Sequence, residues 1–322
     1  MLKVFSLLLY FLGVFLSSLI IFKFFIPIFK KKLIDIPNYR SSHYKAKPTG
    51  GGIIIAILTC LFDLINSTFS SLICLPLSFI GLLDDKKNIP SSIKFLFQFI
   101  TVLILIFTTS KNSNLFAFFP GTYFILILLP FAIFLTGIIN LTNFMDGIDG
   151  LVAGSMLIIF IFFSIKNNLL FFSIIPILFA FLIFNWQPSK IFMGDSGSNF
   201  IGSIYVLMLL NSPSLKDFLI LISLASPLFL DAFICLIRRY LSKQNIFEPH
   251  KLHLYQRLVQ SGYSHGIITS AYLLATFIIS LISLSNNLEL ITVTILLFFI
   301  IGYFVDANYA LSFKEASLFK DK

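Results

Sequence analysis

Long apolar runs alternate with short polar segments along almost the whole chain. A helix needs about 20 mainly apolar residues to cross a bilayer, with roughly 17–25 tolerated. By that rule the pattern predicts eleven spanning helices, near residues 3–28, 50–66, 69–83, 92–109, 121–140, 150–166, 168–184, 198–212, 215–238, 265–284 and 288–306. No polar segment between them is long enough to fold as a separate soluble domain. We therefore expect one transmembrane domain over residues 1–322.

The composition supports an all-α, polytopic integral membrane protein. Hydrophobic residues make up 58% of the chain and charged residues only 11%, whereas roughly a quarter of the residues in a soluble domain are charged. So few charges cannot cover a water-facing surface, which excludes a soluble enzyme, a secreted disulfide scaffold and a nucleic-acid-binding module. Cys60, Cys74 and Cys235 lie in apolar runs without metal-ligand spacing, and we expect them to be small buried hydrophobic residues.

The polar loops fall into two sets on opposite faces of the membrane. Eleven spans place one set on a single face: residues 30–48, 84–91, 141–149, 185–197, 239–265 and the tail from 306. With Lys94 and Arg238, which lie at the ends of adjacent helices, that face holds 18 lysines and arginines, and the opposite face holds four. Because cytoplasmic loops carry an excess of basic residues, the richer face is predicted to be cytoplasmic. The net charge of +9 is thus largely explained by topology.

The residues capable of chemistry are concentrated on that same face. It holds all four histidines, and its loops between helices hold seven of the 14 acidic residues: Asp35, Asp84, Asp85, Asp146, Asp149, Asp195 and Glu248. An active site for cytosolic substrates needs this arrangement, whereas channels and carriers place ionisable groups near the bilayer midplane. A membrane transporter or lipid flippase without chemistry is the alternative from another class. It would explain the helices but not the clustering of polar motifs on one face.

Two of these motifs pair carboxylates with one another. Asp84 and Asp85 stand at the negative end of a predicted helix, where a divalent cation would relieve their mutual repulsion. Asn143, Asp146 and Asp149 recur every three residues, next to glycines that permit close ligand approach. Helix capping is the alternative for both motifs, although a capping turn needs a single aspartate.

A third motif, Phe192-Met-Gly194-Asp195-Ser-Gly-Ser198, opens a spanning helix. Asp195 or Ser196 would serve as a helix cap. The same geometry offers free backbone N–H groups and the positive end of a helix dipole to a phosphate. The motif is therefore compatible with either a cap or a phosphate site.

Two further motifs supply cations. One consists of residues at i, i+3 and i+7, which would share a helical face: His250, His253 and Arg257. These side chains suit a diphosphate, with a zinc site or an interfacial amphipathic helix as alternatives. The other motif begins at Arg40 and runs into a glycine triplet, and its candidate anion-binding residues are Lys45, Lys47 and Thr49. Together the five motifs combine carboxylates for a hard cation with cations for phosphate, as phosphoryl transfer requires.

The motifs resemble those of the polyprenyl-phosphate N-acetylhexosamine-1-phosphate transferase family, glycosyltransferase family 4. The resemblance extends from Asp35 to about His265 and rests on the segments 81–90, 140–151, 192–198 and 249–257. It implies an all-α membrane fold with ten or eleven helices and dependence on Mg²⁺, with Mn²⁺ as a substitute. It also implies transfer of a sugar 1-phosphate from a UDP-sugar to undecaprenyl phosphate with release of UMP. The expected location is the bacterial inner membrane, where the chain would be a multi-pass protein. Assembly into a homodimer is compatible with this expectation.

The resemblance assigns roles position by position. It implies Asp195 as the metal ligand and Phe192 as the aromatic residue stacked on uracil, close to Gly194. It implies a catalytic set of Asp84, Asp85, Asp149, His250, His253 and Arg257. It implies further substrate-binding residues at Asn143, Asp146, Lys45, Lys47 and Thr49.

Departures from the family pattern narrow the choice of donor substrate. The muramoyl-pentapeptide branch has consecutive histidines followed by an acid, whereas this chain reads His-Lys-Leu-His-Leu-Tyr-Gln-Arg. Arg40-Ser-Ser-His43 and the glycine triplet resemble the O-antigen and teichoic-acid initiating branches. We therefore expect a UDP-N-acetylhexosamine as donor, with the phospho-N-acetylmuramoyl-pentapeptide transferase as the enzymatic alternative. Either Lys45 or Lys47 could fill the position of the family's conserved lysine.

Overall fold

A computed structural model describes residues 2–37, 42–87, 89–109, 124–166, 173–245, 248 and 250–318. Arg40 and the first residues of the spans predicted at 121–140 and 168–184 lie outside this described part. Regular structure in the described residues is helical, apart from one pair of two-residue strands, β1 (Ile34–Asp35) and β2 (Lys47–Pro48). These strands pair antiparallel, with Asp35 opposite Lys47. The all-α prediction is confirmed.

The helices follow the apolar runs of the sequence. The first seven are α1 (Leu2–Lys32), α2 (Gly51–Ile65), α3 (Leu75–Lys87), α4 (Ser91–Thr109), α5 (Phe124–Phe144), α6 (Leu151–Lys166) and α7 (Ile174–Asn185). The next seven are α8 (Asp195–Leu210), α9 (Leu215–Leu224), α10 (Ser226–Leu241), α11 (Leu254–Gln260), α12 (His265–Ser283), α13 (Leu288–Tyr309) and α14 (Phe313–Leu318). A 3₁₀ turn, Ser70–Ile73, precedes α3.

Helix length separates two kinds of predicted span. In the described chain, five helices are long and apolar enough to cross a membrane: α1, α4, α5, α12 and α13. Others are shorter, such as α7 with 12 residues, which at 1.5 Å per residue falls well short of a bilayer core of about 30 Å. A multi-pass membrane protein is therefore supported, while the count of eleven crossings stays a prediction.

The span predicted at 215–238 is divided into α9 and α10, which are bent by 75° relative to each other. The break falls at Ala225, and Pro227 stands in the first turn of α10. Proline has no N–H for the preceding turn and its ring clashes with that turn's carbonyl, so one helix ends and another begins here. If the pair is counted as one span, six segments qualify.

Helix α8 lies at the centre of the fold. All its residues from Ser196 to Leu210 are buried, and it packs against α2, α3, α4, α5 and α9. Its first half is rich in glycine and serine, and such small residues let neighbouring backbones approach closely in a membrane. The site motif at the start of α8 is thereby placed in the middle of the helix bundle.

Ion pairs and hydrogen bonds join the polar segments in two separate groups. On one side, Lys166 at the end of α6 pairs with Asp217 at the start of α9, with 2.8 Å between Nζ and Oδ1. On the other side, Lys47 in β2 contacts Asp149 after α5 and Ser189 after α7. The second group contains the candidate functional residues.

Candidate active site

The site forms where α2, α3 and α8 approach one another most closely. Gly52 in α2 lies so close to Gly197 in α8 that a side-chain carbon on Gly52 would collide with the Gly197 backbone. Gly81 in α3 packs in the same way against the backbone of Asp195 and Ser196. These contacts bring the end of α3 to the start of α8, which places the Asp84–Asp85 pair beside Asp195.

Gly194 makes the turn into α8. Its φ of +71° is in the left-handed region, which glycine adopts without steric cost. A Cβ at this position would meet the carboxylate of Asp85 and the hydroxyl of Thr49. Gly194 therefore lies within the site, and a larger residue there would obstruct it.

Three carboxylates and one lysine form the centre of the site. The Lys94 Nζ, on α4, lies 2.7 Å from Asp84 Oδ2 and 3.2 Å from Asp195 Oδ2. Asp84 Oδ1 accepts a hydrogen bond from the Ile89 backbone N–H at 2.5 Å. Asp85 Oδ1 accepts one from the Asp195 backbone N–H at 3.0 Å. Two predicted motifs thus meet around Lys94.

The second oxygen of Asp85 is left without a partner. Asp85 Oδ2 is buried and has no hydrogen bond to any residue that the structure describes, although buried polar atoms are normally paired. Among the described residues, Lys94 is the cation within 4 Å of Asp84 and Asp195. Oxygen ligands with excess negative charge suit a hard divalent cation such as Mg²⁺ or Mn²⁺. Asp84, Asp85 and Asp195 fit such an ion.

The loop after α5 adds an amide and a fourth carboxylate. Asn143 Nδ2 donates to Ser198 Oγ at 2.8 Å, and the Asn143 side chain also hydrogen-bonds Asp195. Burial, followed by the charges of Asp195 and Asp149, raises the pKa of Asp146 to about 7. Asp146 thus adds to the negative charge around Asp195, and a cation bound there would favour its ionised form.

Asp149 faces different partners from Asp146. Its Oδ1 accepts from Ser189 Oγ at 2.8 Å, and its Oδ2 accepts from the Ser189 N–H at 3.1 Å. Lys47 Nζ lies 3.4 Å from Oδ2, and His265 Nδ1 lies 3.5 Å from Oδ1. Burial alone would raise the pKa of Asp149, but the adjacent His265 imidazole, the hydrogen bonds from Ser189 and the Lys47 charge lower it to about 2. Asp149 therefore anchors the loops around Lys47.

Phe192 forms an aromatic surface next to this anchor. The Lys47 Nζ stands 5.0 Å from the centre of the Phe192 ring, and the His43 ring lies edge-on to it at 4.8 Å. Lys45, by contrast, is exposed. Of the two lysines left open by the sequence, Lys47 is the one placed within the site. Phe192, His43 and Lys47 together could hold a planar base and an adjacent phosphate.

The structure also reveals functional candidates that sequence reasoning missed. Lys94 is a lysine inside an apolar helix, which was itself a signal, because such residues are costly in a membrane. Behind it, Gln98 Nε2 donates to Asn199 Oδ1 at 2.7 Å, and Asn140 Nδ2 donates to Gln98 Oε1 at 2.8 Å. Ser189 carried no recognisable signal, because only the fold brings it to Asp149.

The side chains of His253 and Arg257 are directed towards α10 and α13 and not towards the carboxylate cluster around Asp195. Arg257 is 2% exposed, and its Nη2 lies 2.5 Å from Asp306 Oδ1. Its Nε donates to the Leu252 carbonyl and its Nη1 to the Leu311 carbonyl. Burial and the charges of Arg239 and Arg257 lower the pKa of His253 to about 3, so its ring is neutral near pH 7. The predicted clamping of a diphosphate by these residues stays a prediction, and their contacts favour a structural role for Arg257.

An apolar cavity of about 250 Å³ lies between α10, α11, α12 and α13. Its polar end contains Arg238, Arg257 and Asp306. Both arginines pair with Asp306, so they are already neutralised in part. The cavity suits an apolar group better than a nucleotide.

The sequence of this chain is similar to those of known proteins. The family model for glycosyl transferase family 4 matches residues 67–212, which include α3, Asp146 and Asp195. A protein of Bacillus subtilis (strain 168) named "Probable undecaprenyl-phosphate N-acetylglucosaminyl 1-phosphate transferase" is 32% identical, over 90% of this chain and 89% of its own length.

Two further relatives are informative because their names differ. An undecaprenyl-phosphate alpha-N-acetylglucosaminyl 1-phosphate transferase of Thermotoga maritima is 30% identical over 71% of this chain and 75% of its own. A phospho-N-acetylmuramoyl-pentapeptide-transferase of Fervidobacterium nodosum is 34% identical over 68% of this chain and 77% of its own. The full-length similarity to the Bacillus protein and the matched family model agree with the assembled site motifs. This chain belongs to glycosyl transferase family 4.

Proposed function

We propose that this protein transfers N-acetylhexosamine 1-phosphate from a UDP-sugar to undecaprenyl phosphate, releasing UMP. The observation that carries the proposal is the cluster of Asp84, Asp85 and Asp195, in which one buried carboxylate oxygen has no partner. The names of two relatives that match most of this chain supply the lipid acceptor and the N-acetylglucosaminyl group. The product, a lipid-linked sugar diphosphate, would begin a cell-envelope glycan.

Different residues around the cluster would bind the metal, the uracil base and the phosphates. Asp84, Asp85 and Asp195 would hold Mg²⁺, which supplies charge neutralisation to the diphosphate when bound. Lys94 keeps Asp84 and Asp195 in place, because its ammonium group contacts both carboxylates. Phe192 and His43 would hold the uracil ring, and Lys47 an adjacent phosphate oxygen. Asn143 and Asp146 position the start of α8 and add charge.

The bond changes follow from these positions. An oxygen of undecaprenyl phosphate attacks the phosphorus that bears the sugar, and the bond from that phosphorus to the bridging oxygen breaks. UMP departs with the bridging oxygen and its electron pair. A phosphate acceptor is already an anion, so the step needs in-line positioning and charge stabilisation more than a general base.

The pentapeptide transferase is the second candidate, and one relative of comparable identity bears that name. The His250–His253 segment of this chain lacks the consecutive histidines followed by an acid that mark that branch. Transfer from labelled UDP-N-acetylglucosamine in competition with UDP-muramoyl-pentapeptide separates the two. We expect the first donor to be used and the second to compete poorly.

The reaction itself is tested on purified full-length protein with undecaprenyl phosphate, UDP-N-acetylglucosamine and Mg²⁺. We expect UMP and a lipid-linked sugar diphosphate in equal amounts. Release of UDP would indicate transfer of the sugar without its phosphate, and movement of lipid with no nucleotide product would indicate a flippase. Either result would overturn the proposal.

We place the site at the cytoplasmic face of a bacterial inner membrane, on the basis of the 18-to-4 distribution of basic residues. A membrane-impermeant thiol reagent should label a cysteine introduced at Asn112 or Asn167 in intact cells. The same reagent should not reach a cysteine at Asn88 or Gln244 until the cells are opened. The reverse pattern would put the site on the wrong side of its nucleotide.

A further inference from the structure

The fold brings a cysteine of α10 next to two histidines that follow it in the sequence. Cys235 lies on α10, and His250 and His253 lie on the segment that leads into α11. The Cys235 Sγ and one nitrogen of each imidazole lie within 4.8 Å of one another. The two imidazole rings are 4.9 Å apart between their centres. Cys235 on α10 therefore supplies a third soft ligand atom beside the two histidines.

His253 gives a second, independent sign of a ligand. Its side chain is 3% exposed, and its Nδ1 is buried without a hydrogen-bond partner in the described part of the chain. The Asp231 Oδ1 lies 4.0 Å away, beyond hydrogen-bonding distance. Buried ring nitrogens are normally paired, and a metal ion held between the three side chains would satisfy this atom.

The ligand types select the metal. A thiolate and two imidazoles are the donors typical of Zn²⁺, whereas Mg²⁺ is bound by oxygen. The thiolate of Cys235 and the carboxylate of Asp231 would together balance a divalent charge. Of the nearby arginines, Arg238 and Arg257 face Asp306.

We propose that Cys235, His250 and His253 bind one Zn²⁺ ion, at a site separate from the carboxylates around Asp195. With three protein ligands, the fourth position is open to water. The ion ties the segment before α11 to the side of α10, and so fixes a loop whose neighbour Tyr255 contacts the Phe144 carbonyl beside the active site.

Zinc binding requires only a small adjustment of this cluster. With Zn–S near 2.3 Å and Zn–N near 2.0–2.1 Å, tetrahedral ligand atoms stand roughly 3.4–3.6 Å apart. His250 is half-buried and can move towards the other two ligands. One contact of its ring is a long hydrogen bond, 3.3 Å from the Leu252 N–H to Nδ1.

The test is metal binding by the purified full-length protein, with Cys60 and Cys74 as matched controls, because both are buried cysteines too. After exposure to Zn²⁺ and removal of excess, we expect one equivalent per chain. Co²⁺ in its place should give thiolate-to-metal charge-transfer absorption. Cys235→Ser should abolish this absorption and weaken Zn²⁺ binding more than about 100-fold, the upper end of losses caused by merely supporting residues. Cys60→Ser and Cys74→Ser should change neither.

His250→Ala provides a second variant that removes a half-exposed side chain, so that folding is preserved. It should also lose the zinc while retaining the secondary structure of the parent protein. Stoichiometric zinc in Cys235→Ser or His250→Ala would overturn the proposal. Loss of zinc in the two control variants, or no binding by the parent protein, would overturn it as well. None of these readouts depends on transferase activity.

Discussion

Two groups of carboxylates in this molecule differ in how their charge is balanced. In the first group, Asp84 and Asp195 share one lysine, and a buried oxygen of Asp85 has no partner among the described residues. Around Asp306, by contrast, Arg238 and Arg257 both form ion pairs with a single carboxylate. The first group has an excess of negative charge, and the second does not.

Asp231 lies next to the second group and also differs from the Asp195 cluster, because both of its carboxylate oxygens have hydrogen-bond partners. Its two oxygens accept hydrogen bonds from the Leu254 N–H at 2.7 Å, the Tyr255 N–H at 3.2 Å and the Tyr272 hydroxyl at 2.7 Å. Such a satisfied carboxylate holds α10, α11 and α12 together. Charge balance and satisfied hydrogen bonds therefore separate the structural acids from those available to a cation and a diphosphate.

The largest effect is expected from removing carboxylates of the first group. Asp195→Asn and Asp84→Asn should lower turnover at least about 100-fold, because each loses charge directed at the metal and the phosphates. The variants should still insert into the membrane, which is checked by their yield and helical circular dichroism. Retention of more than about a tenth of wild-type turnover, roughly 1.4 kcal/mol in the barrier, would contradict the assigned role.

The two lysines of the loop before α2 offer a matched comparison. Lys47→Met should reduce transfer by about 10- to 100-fold, as expected when a charge-assisted contact to phosphate is lost. Lys45→Met should have almost no effect, because this side chain is exposed. Steady-state kinetics with varied UDP-sugar will check this, and equal losses in the two variants would show that the loop is misplaced.

A substitution at Arg257 tests whether the second group has a structural role. Arg257→Ala should lower the free energy of unfolding by roughly 3 kcal/mol, because it leaves a partly buried carboxylate with fewer partners. Turnover per folded molecule should fall much less. Unfolding in detergent, measured beside activity, separates this from a clamp on the diphosphate. A clamp would cost activity and leave stability unchanged.

The smallest effect concerns pH. The pKa of Asp146 is raised to about 7 in the folded protein. Between the ordinary pKa of an aspartate and pH 7, the folded protein therefore binds more protons at this residue than the unfolded chain does. Folding stability from this group therefore falls as pH rises through that window. Without divalent cations, Asp146→Asn should be the more stable protein at pH 8, with a midpoint raised by about 2–4 °C for each kcal/mol gained. The difference should shrink below pH 4, and no pH-dependent difference would refute the raised pKa.

Much of the architecture and part of the site could be predicted from the sequence. Apolar run lengths predict helices directly, and the three aspartate motifs are brought to one place because they lie at ends of helices on the same face. Pro227 in the predicted ninth span was a visible sign of the break at Ala225. These features depend on local sequence and on the alternation of crossings, both of which can be derived from residue order.

The rest depends on how helices rotate and pack against each other. Asp146 and Asp149 are three residues apart, yet one adds to the Asp195 cluster and the other is held by Ser189 and Lys47. Spacing suggested a shared surface and could not distinguish their partners. The pairing of Arg257 with Asp306 joins distant helices, so no local pattern announces it.

The central claim is that the excess charge around Asp195 holds a divalent cation and that the paired acids of α10 and α13 do not. Mn²⁺ binding to purified protein, followed by electron paramagnetic resonance, tests it most directly. We predict that wild-type protein binds Mn²⁺, that Asp195→Asn and Asp85→Asn bind it far more weakly, and that Asp231→Asn binds it normally. Unchanged binding in Asp195→Asn, or binding lost in Asp231→Asn alone, would contradict the account.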